Sequence, residues 1–237
     1  MKKYGKDINS KEAWDEMAKS YSEKLANEYH KHRLDVINSL IPEELYQTGK
    51  NIFDFGCGDA IHFEQFLDQG VKITGVDISP EIITLAKERL CQIKSNPDLV
   101  NIGGVSFLSD MKSSSLDAIL SFNVLAYLTN EEEEHFYKEA SRVLRQGGYL
   151  IVTHSNELFD MYSMNQYTVD FLSRHLITDG ELKTSLSKLI IHSSEKENVS
   201  TYNVRENPLN YQFKLAKYGF KEQRQEFINL HPAPPHC

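Results

Sequence analysis

Residues 52–60 read Ile-Phe-Asp-Phe-Gly-Cys-Gly-Asp-Ala, an apolar run that ends in a loop with two glycines. The apolar run predicts a short buried strand, and the spacing over residues 61–67 predicts a helix. Glycine lets a backbone approach a ligand closely, and a helix N-terminus favours an anionic group. The stretch therefore predicts a strand, a loop and a helix that could bind a ligand, although tight turns also use glycine for purely structural reasons.

The segments around this loop alternate between strand and helix patterns. Further strands are predicted over residues 71–76, 105–108, 118–122, 149–153 and 220–228, and helices over 11–40, 79–93, 129–144 and 208–218. Ser79 with Pro80 predicts one helix start, and Thr129 with Glu132 predicts a capping box at another. The alternation predicts an α/β fold with a Rossmann-like, mostly parallel, doubly wound sheet and helices on both faces.

The composition excludes several classes of protein. The 237 residues carry a net charge of −8 with scattered cations, which argues against a nucleic-acid substrate. No apolar run approaches the roughly 18 residues that span a membrane, and the N-terminus has no signal-peptide pattern. The three cysteines have no metal-ligand spacing. We expect a cytoplasmic protein with no bound metal and no membrane contact.

Polar side chains are predicted at the carboxyl ends of several strands. Asp77 closes the second strand, Asp110 follows the third and Asn123 follows the fourth. In an open α/β sheet these ends meet in one crevice, where ligands bind. A carboxylate at Asp77 could accept hydrogen bonds from both hydroxyls of a ribose.

The order of these motifs over residues 50–155 resembles the class I S-adenosylmethionine-dependent methyltransferases, here of the small-molecule type. The resemblance implies that Asp54 and the glycine loop hold the methionine part, Asp77 the ribose, Ile78 the adenine ring and Asp110 the adenine amine. Residues 142–148 resemble the family's RVLKPGG turn, with Gln146 in place of proline. The cofactor-binding residues that the resemblance implies are Tyr21, Asp54, Gly56, Cys57, Gly58, Asp77, Ile78, Ser109, Asp110, Met111 and Asn123.

One residue of the loop departs from the family pattern. Ala60 stands where the family usually has a third glycine, and we expect the loop to tolerate alanine because it is small. The main rival cofactor is a dinucleotide, whose motif needs a third glycine where this chain has Ile61. Asp77 fits both cofactors. An NAD(P)-dependent oxidoreductase and a non-catalytic S-adenosylmethionine-binding module therefore remain the alternatives.

The acceptor and the catalytic groups are less clearly marked. A hydroxyl acceptor usually needs a general base, for which His154 at the end of the fifth strand and Tyr127 are the candidates. A hydrogen-bonded structural role fits His154 equally well. The acceptor is predicted to be a small molecule methylated on O or N. The region after residue 155 is similar to methyltransferases of bacterial surface-carbohydrate pathways, which implies a sugar or phosphorylated metabolite.

The chain is predicted to divide into four parts. Residues 1–48 form a helical leader that covers the cofactor, with Tyr21 near the sulfonium. Residues 49–155 and 206–230 form the Rossmann-like core, and residues 156–205 form a helical cap over the acceptor. Residues 231–237 form an irregular, proline-rich tail. Either the sheet lacks its seventh strand, or residues 199–204 supply an edge strand.

Overall fold

The computed structural model describes residues 11–16, 18, 28–161, 171–172, 180 and 205–228. Residues 11–16 are helical, and the later helices are α1 (Glu28–Leu40), α2 (Phe63–Leu67), α3 (Pro80–Gln92), α4 (Ser106–Ser109), α5 (Asn130–Val143) and α6 (Tyr211–Ala216). The strands are β1 (Asn51–Phe55), β2 (Lys72–Asp77), β3 (Val100–Ile102), β4 (Leu116–Ser121), β5 (Leu144–Val152), β6 (Ser155–Asn156) and β7 (Arg205–Glu206). Short 3-10 turns lie at Glu43–Tyr46, Pro97–Leu99, Leu125–Tyr127 and Glu157–Met161. Within the described part of the chain, no helix has the length and apolar character to span a membrane.

The strand of the glycine loop, β1, lies in the middle of a five-stranded sheet with the order β3-β2-β1-β4-β5. Every pairing in this sheet is parallel, and Ile52 of β1 pairs with Ile73 on one side and Ala118 on the other. Parallel strands bring their carboxyl ends to one edge, so the ends of β1, β2 and β4 are neighbours. The predicted α/β, doubly wound fold is confirmed.

The central strands β1 and β4 are buried on both faces, which explains their nearly continuous apolar runs. Successive residues of a strand point to opposite faces, so Ile52 and Leu120 belong to one apolar cluster and Phe53 and Ile119 to the other. All four side chains are fully buried. This packing holds the strand ends, and hence the crevice, in fixed positions.

Two predicted helix starts are confirmed by their caps. The Ser79 hydroxyl accepts a hydrogen bond from the amide of Ile82 at 3.2 Å, with Pro80 in the first turn of α3. At α5, the Thr129 hydroxyl accepts from the Glu132 amide, and the Glu132 carboxylate accepts from the Thr129 amide. Both helix starts could be predicted from the sequence because each cap joins residues only three positions apart.

The prediction of the third strand is wrong. Residues 105–108 were expected to form it, but the strand is Val100–Ile102 and residues 106–109 form the helix α4. Gly103 and Gly104 separate the two segments. Leu108 is fully buried and the Phe107 ring stacks on Phe53, so this apolar run packs on the sheet as one helical turn. A four-residue apolar run does not distinguish these two cases.

Two predictions near the end of the chain also need correction. Residues 220–228, expected to form the last strand, have no regular structure, and residues 221–227 are exposed. A strand there would bury no apolar face, because the segment is mostly charged or amide side chains. β5 starts earlier than predicted, at Leu144, and its register shifts between Leu144 and Tyr149. The intervening residues 145–148 form an irregularity that contains the predicted glycine turn.

The two ends of the predicted cap lie side by side. Ser155 and Asn156 of β6 pair in parallel with Arg205 and Glu206 of β7. This pairing is compatible with an insertion that leaves and re-enters the core at one place. Most of the cap, Tyr21, residues 199–204 and residues 231–237 lie outside the described residues.

Candidate functional site

The glycine loop is fixed by hydrogen bonds to the end of β2. The amides of Gly56 and Cys57 both donate to the Val76 carbonyl, at 2.8 and 2.9 Å. Gly56 has φ +73° and Gly58 φ +55°, a region that glycine adopts without strain. A Cβ on Gly56 would lie 2.1 Å from Cγ2 of Val124, so the loop after β4 closes tightly against this glycine.

The loop accommodates Ala60 in a backbone conformation that usually favours glycine. Ala60 has φ +60° and is almost fully buried. The neighbouring Asp59 is also buried, and its carboxylate pairs with the Arg89 guanidinium of α3 at 2.5 Å. Arg89 also donates to the Asp59 carbonyl at 3.0 Å. These contacts hold the loop on α3.

Asp54 is a buried carboxyl group whose Oδ2 has no hydrogen-bond partner among the described residues. It lies in β1 and is 1 % exposed. Burial, and then the negative charge of Asp77, raise the pKa of Asp54 to about 8. An acceptor oxygen buried without a donor is costly. The site therefore suits a ligand that brings a hydrogen-bond donor, above all a cationic one.

Asp77 occupies the end of β2, next to the glycine loop. Its Oδ2 accepts from the Gly58 amide at 3.2 Å, and its Oδ1 accepts from the Ser79 amide at 3.0 Å. Burial raises the pKa of Asp77, although these amides act in the opposite direction. Each carboxylate oxygen can accept a second hydrogen bond, which suits a ligand with two adjacent hydroxyls.

The described part of the crevice beyond Asp77 presents apolar side chains. Ile78 is 45 % exposed and Ile102, at the end of β3, is 56 % exposed. The amide of Gly103 donates to the Asp77 carbonyl, so Gly103 and Gly104 occupy the position after the third strand. Two exposed isoleucines at adjacent strand ends offer an apolar surface to a flat ligand.

Ser109, Asp110 and Met111 were predicted to bind the cofactor, but the structure places them away from the crevice. The Met111 and Ser109 carbonyls accept from Arg142 at the end of α5, at 2.8 and 3.4 Å. The next strand begins there, at Leu144, which pairs with Leu116 at the start of β4. That is the amino edge of the sheet, opposite the crevice. The wrong third strand caused this error, because α4 carries the chain away from the crevice.

The opposite wall of the crevice follows β4. Asn123 has φ +59°, and its backbone amide donates to the Thr153 hydroxyl at 2.8 Å. When the side-chain amide of Asn123 is turned so that its O and N exchange places, the side-chain oxygen accepts from the Arg33 guanidinium of α1 at 3.0 Å. His62, whose ring lies 4.9 Å from that of Phe122, is buried. Burial, and then the charge of Arg33, lower the pKa of His62 to about 4, so this imidazole is neutral at pH 7.

Tyr127 lies on the same wall and contacts the leader. The rings of Tyr127 and Trp14 are 4.9 Å apart and nearly perpendicular. This edge-to-face packing is a favourable aromatic contact. Tyr127 therefore lies in the turn after β4, and its catalytic role stays a prediction.

His154 is engaged in a buried polar cluster rather than open to a ligand. Its Nε2 lies 2.5 Å from the Tyr211 hydroxyl and 3.4 Å from the Tyr137 hydroxyl, and these two hydroxyls are 2.6 Å apart. Burial, and then the charge of Lys214, lower the pKa of His154 to about 3. A base with so low a pKa accepts a proton poorly at pH 7. This environment fits the structural role.

The cluster joins the C-terminal segment to the core. Lys214 of α6 pairs with Glu133 of α5 at 2.7 Å and with Glu206 of β7. Its ammonium group lies 5.8 Å from the centre of the Tyr137 ring. Since α5 and β7 are far apart in sequence, these contacts define where α6 sits.

Tyr211→Phe should destabilise the protein by about 1–3 kcal/mol, because the Tyr137 hydroxyl and His154 Nε2 lose their short partner inside the protein. Urea unfolding measures the change. Tyr218→Phe is the matched control: its ring also packs on Tyr137, at 5.3 Å, and its hydroxyl makes no hydrogen bond to the described residues. Equal midpoints for the two variants would show that the cluster contributes no stability through its hydrogen bonds.

Sequence reasoning missed several residues of the site. Asp15 and Arg33 of the leader and His62 give no local signal, because their roles depend on contacts across the fold. Ser79 was predicted only as a cap, yet it also binds the Asp77 carboxylate. Among the described residues, no group of three or more histidine, cysteine or acidic side chains could hold a metal ion.

Part of the chain matches a known protein family. Residues 53–152 match the family described as Methyltransferase domain. Over 145 residues, the chain is 23 % identical to a ubiquinone biosynthesis O-methyltransferase of Xanthomonas oryzae pv. oryzae, covering 61 % of this chain and 57 % of that protein. It is 30 % identical over 105 residues to a demethylmenaquinone methyltransferase of Tropheryma whipplei, covering 44 % of this chain and 41 % of that protein.

A solved structure supports the fold over a greater length. The structure of a SAM-dependent methyltransferase from Archaeoglobus fulgidus superposes with a TM-score of 0.54 at 15 % identity, covering 85 % of this chain and 73 % of that one. The fold, the family match and the named relatives agree. They support a class I S-adenosylmethionine-dependent methyltransferase, with the domain match confined to residues 53–152. The chain spans about half the length of the curated relatives it matches.

Proposed function

We propose that this protein transfers a methyl group from S-adenosylmethionine to an O or N atom of a small-molecule acceptor. The observation that carries the proposal is the unpartnered buried oxygen of Asp54, next to the glycine loop and across from Asp77. The donor has a cationic ammonium group, two ribose hydroxyls and a flat adenine ring. These three parts correspond to the three environments of the crevice.

The residues present fit the cofactor as follows. Asp54 would accept from the ammonium group, Asp77 from the ribose hydroxyls, and Ile78 would pack on the adenine. When bound, S-adenosylmethionine supplies a methyl group on a sulfonium, which is already a good leaving group. The remaining task of the protein is to align the acceptor and to exclude water.

The acceptor is proposed to be small, and the wall after β4 suits a flat one. Trp14, Phe122 and Tyr127 place three aromatic side chains near this wall. The relatives named above carry quinone-pathway names, so they give no support to the carbohydrate acceptor expected from the sequence. A nucleic-acid acceptor is disfavoured by the net charge of −8.

Asp77→Ala should weaken binding of S-adenosylhomocysteine by about 1.5–3 kcal/mol, the range for hydrogen bonds to a charged group. Calorimetric titration measures this change, and Asp98→Ala, an exposed carboxylate before β3, is the control. An unchanged affinity would remove Asp77 from the site.

The rival cofactor and the rival function are separated by two further measurements. Thermal shift with S-adenosylhomocysteine and with NAD tests the cofactor, since a ligand that binds the native state raises its stability. A methyl-transfer screen against phenols, amines, phosphorylated metabolites and nucleotide sugars tests catalysis. Stabilisation by NAD alone would favour an oxidoreductase, whereas cofactor binding without any methylated product would favour a non-catalytic module.

A further inference from the structure

Two consecutive residues of the leader contact opposite walls of the crevice. The Asp15 carboxylate accepts a hydrogen bond from the Ser79 hydroxyl, directly after β2. The Trp14 ring packs edge-to-face on Tyr127, 4.9 Å away, in the turn after β4. Both side chains belong to the helical residues 11–16.

The sheet order decides where this helix lies. β1 lies between β2 and β4, so a segment that contacts residues just beyond the ends of both must pass over the end of β1. The end of β1 is the glycine loop of Gly56 and Gly58. The leader helix therefore crosses the crevice directly above the loop proposed to hold the cofactor.

Ser79 links this crossing to the proposed ribose site. It is fully buried, and its amide donates to Asp77 Oδ1 at 3.0 Å while its hydroxyl donates to Asp15. The same hydroxyl accepts from the Ile82 amide at the start of α3. The hydrogen bond from Ser79 also lowers the pKa of Asp15, which keeps that carboxyl ionised. One buried residue thus links three parts of the site: its hydroxyl contacts Asp15 and the Ile82 amide, and its backbone amide contacts Asp77.

The sequence already predicts that the leader covers the cofactor; beyond this, we propose that Asp15 and Ser79 are positioning residues that couple residues 11–16, the strap, to Asp77 and so hold the crevice closed. This inference rests on the proposed function, because it assigns the crevice to the cofactor. The strap must leave at least one wall before the cofactor can depart. Loss of the Asp15 contact therefore accelerates cofactor release.

The chain itself supplies the probe for this test. Trp14 is the only tryptophan in the sequence, and it lies in the strap. Its intrinsic fluorescence consequently reports whether the strap is docked, with or without a ligand. In Asp15→Ala without ligand, we expect the emission to move to longer wavelength, because Trp14 becomes more exposed to water.

Stopped-flow displacement of S-adenosylhomocysteine measures release. Asp15→Ala should increase the dissociation rate by about tenfold, which corresponds to about 1.4 kcal/mol, within reach of one hydrogen bond to a charged group. Asp15→Asn retains an acceptor oxygen and should restore part of the slow release. Glu16→Ala is the control, since Glu16 is an exposed acidic residue of the same helix.

Three outcomes decide the matter. If Asp15→Ala changes neither the emission nor the dissociation rate, the proposal that Asp15 docks the strap is overturned. A changed emission with an unchanged rate would overturn its role in closing the crevice. If the wild-type protein does not bind S-adenosylhomocysteine, the proposed function fails together with the closure, whereas the ligand-free emission still tests whether Asp15 docks the strap.

Discussion

Gly56→Ala should destabilise the protein by about 2–5 kcal/mol, the largest loss of stability we expect from a single methyl group. Two effects add at this position. A left-handed backbone costs an L-residue about 1–2 kcal/mol, and Gly56 has φ +73°. The new Cβ would also lie 2.1 Å from Cγ2 of Val124, and overpacking of this kind costs about 1–3 kcal/mol. Urea unfolding measures the total.

A matched glycine separates the two effects. Gly147 has φ +78° and nothing within 4 Å of an added Cβ, so Gly147→Ala should show the backbone cost alone. Val124→Ala combined with Gly56→Ala should recover the steric part, which a double-mutant cycle isolates. If Gly56→Ala costs no more than Gly147→Ala, the close approach of Val124 does not constrain the loop.

The fold and half of the site could be predicted because their signals are local. The apolar run before Gly56 and the carboxylate at Asp77 are each complete within a few residues. The parallel sheet follows from their alternation with helices, since only a crossover connects parallel neighbours. The caps at Ser79 and Thr129 likewise depend on residues three positions away.

The errors arose where tertiary contacts decide between equal local signals. Residues 105–108 can form a strand or a helical turn, and the packing of Leu108 and Phe107 on the sheet selects the turn. The misplacement of Asp110 follows from that choice. His154 was a candidate base only while its partners were unknown, because Tyr137 and Tyr211 come from distant segments. No local pattern indicates that Asp15 reaches Ser79.

Asp54→Asn should stabilise the ligand-free protein while it weakens the cofactor site. At pH values well below 4 the Asp54 carboxyl is protonated in both the folded and the unfolded state. Burial raises its folded pKa to about 8, so between about pH 4 and 8 unfolding releases a proton and wild-type stability falls as pH rises. Above that window the penalty is complete. Asparagine does not titrate, so the stability advantage of the variant should grow across the window by up to about 1.4 kcal/mol per pH unit.

The same carboxyl should couple cofactor binding to proton release. An ammonium group favours the ionised form of Asp54, so binding of S-adenosylhomocysteine at pH 7 should release up to one proton from this group in the wild-type protein. Asp54→Asn should abolish that contribution and weaken binding by about 1.5–3 kcal/mol, the range for a hydrogen bond to a charged group.

Titration calorimetry in two buffers with different ionisation enthalpies counts the protons, and unfolding at several pH values measures stability. Asp98→Asn, an exposed carboxylate, should change neither quantity. A variant that binds as tightly as the wild type, with the same proton count, would mean that the buried oxygen of Asp54 serves a purpose other than the cofactor. A variant that loses both stability and binding would mean that the carboxyl supports the fold through a partner of its own.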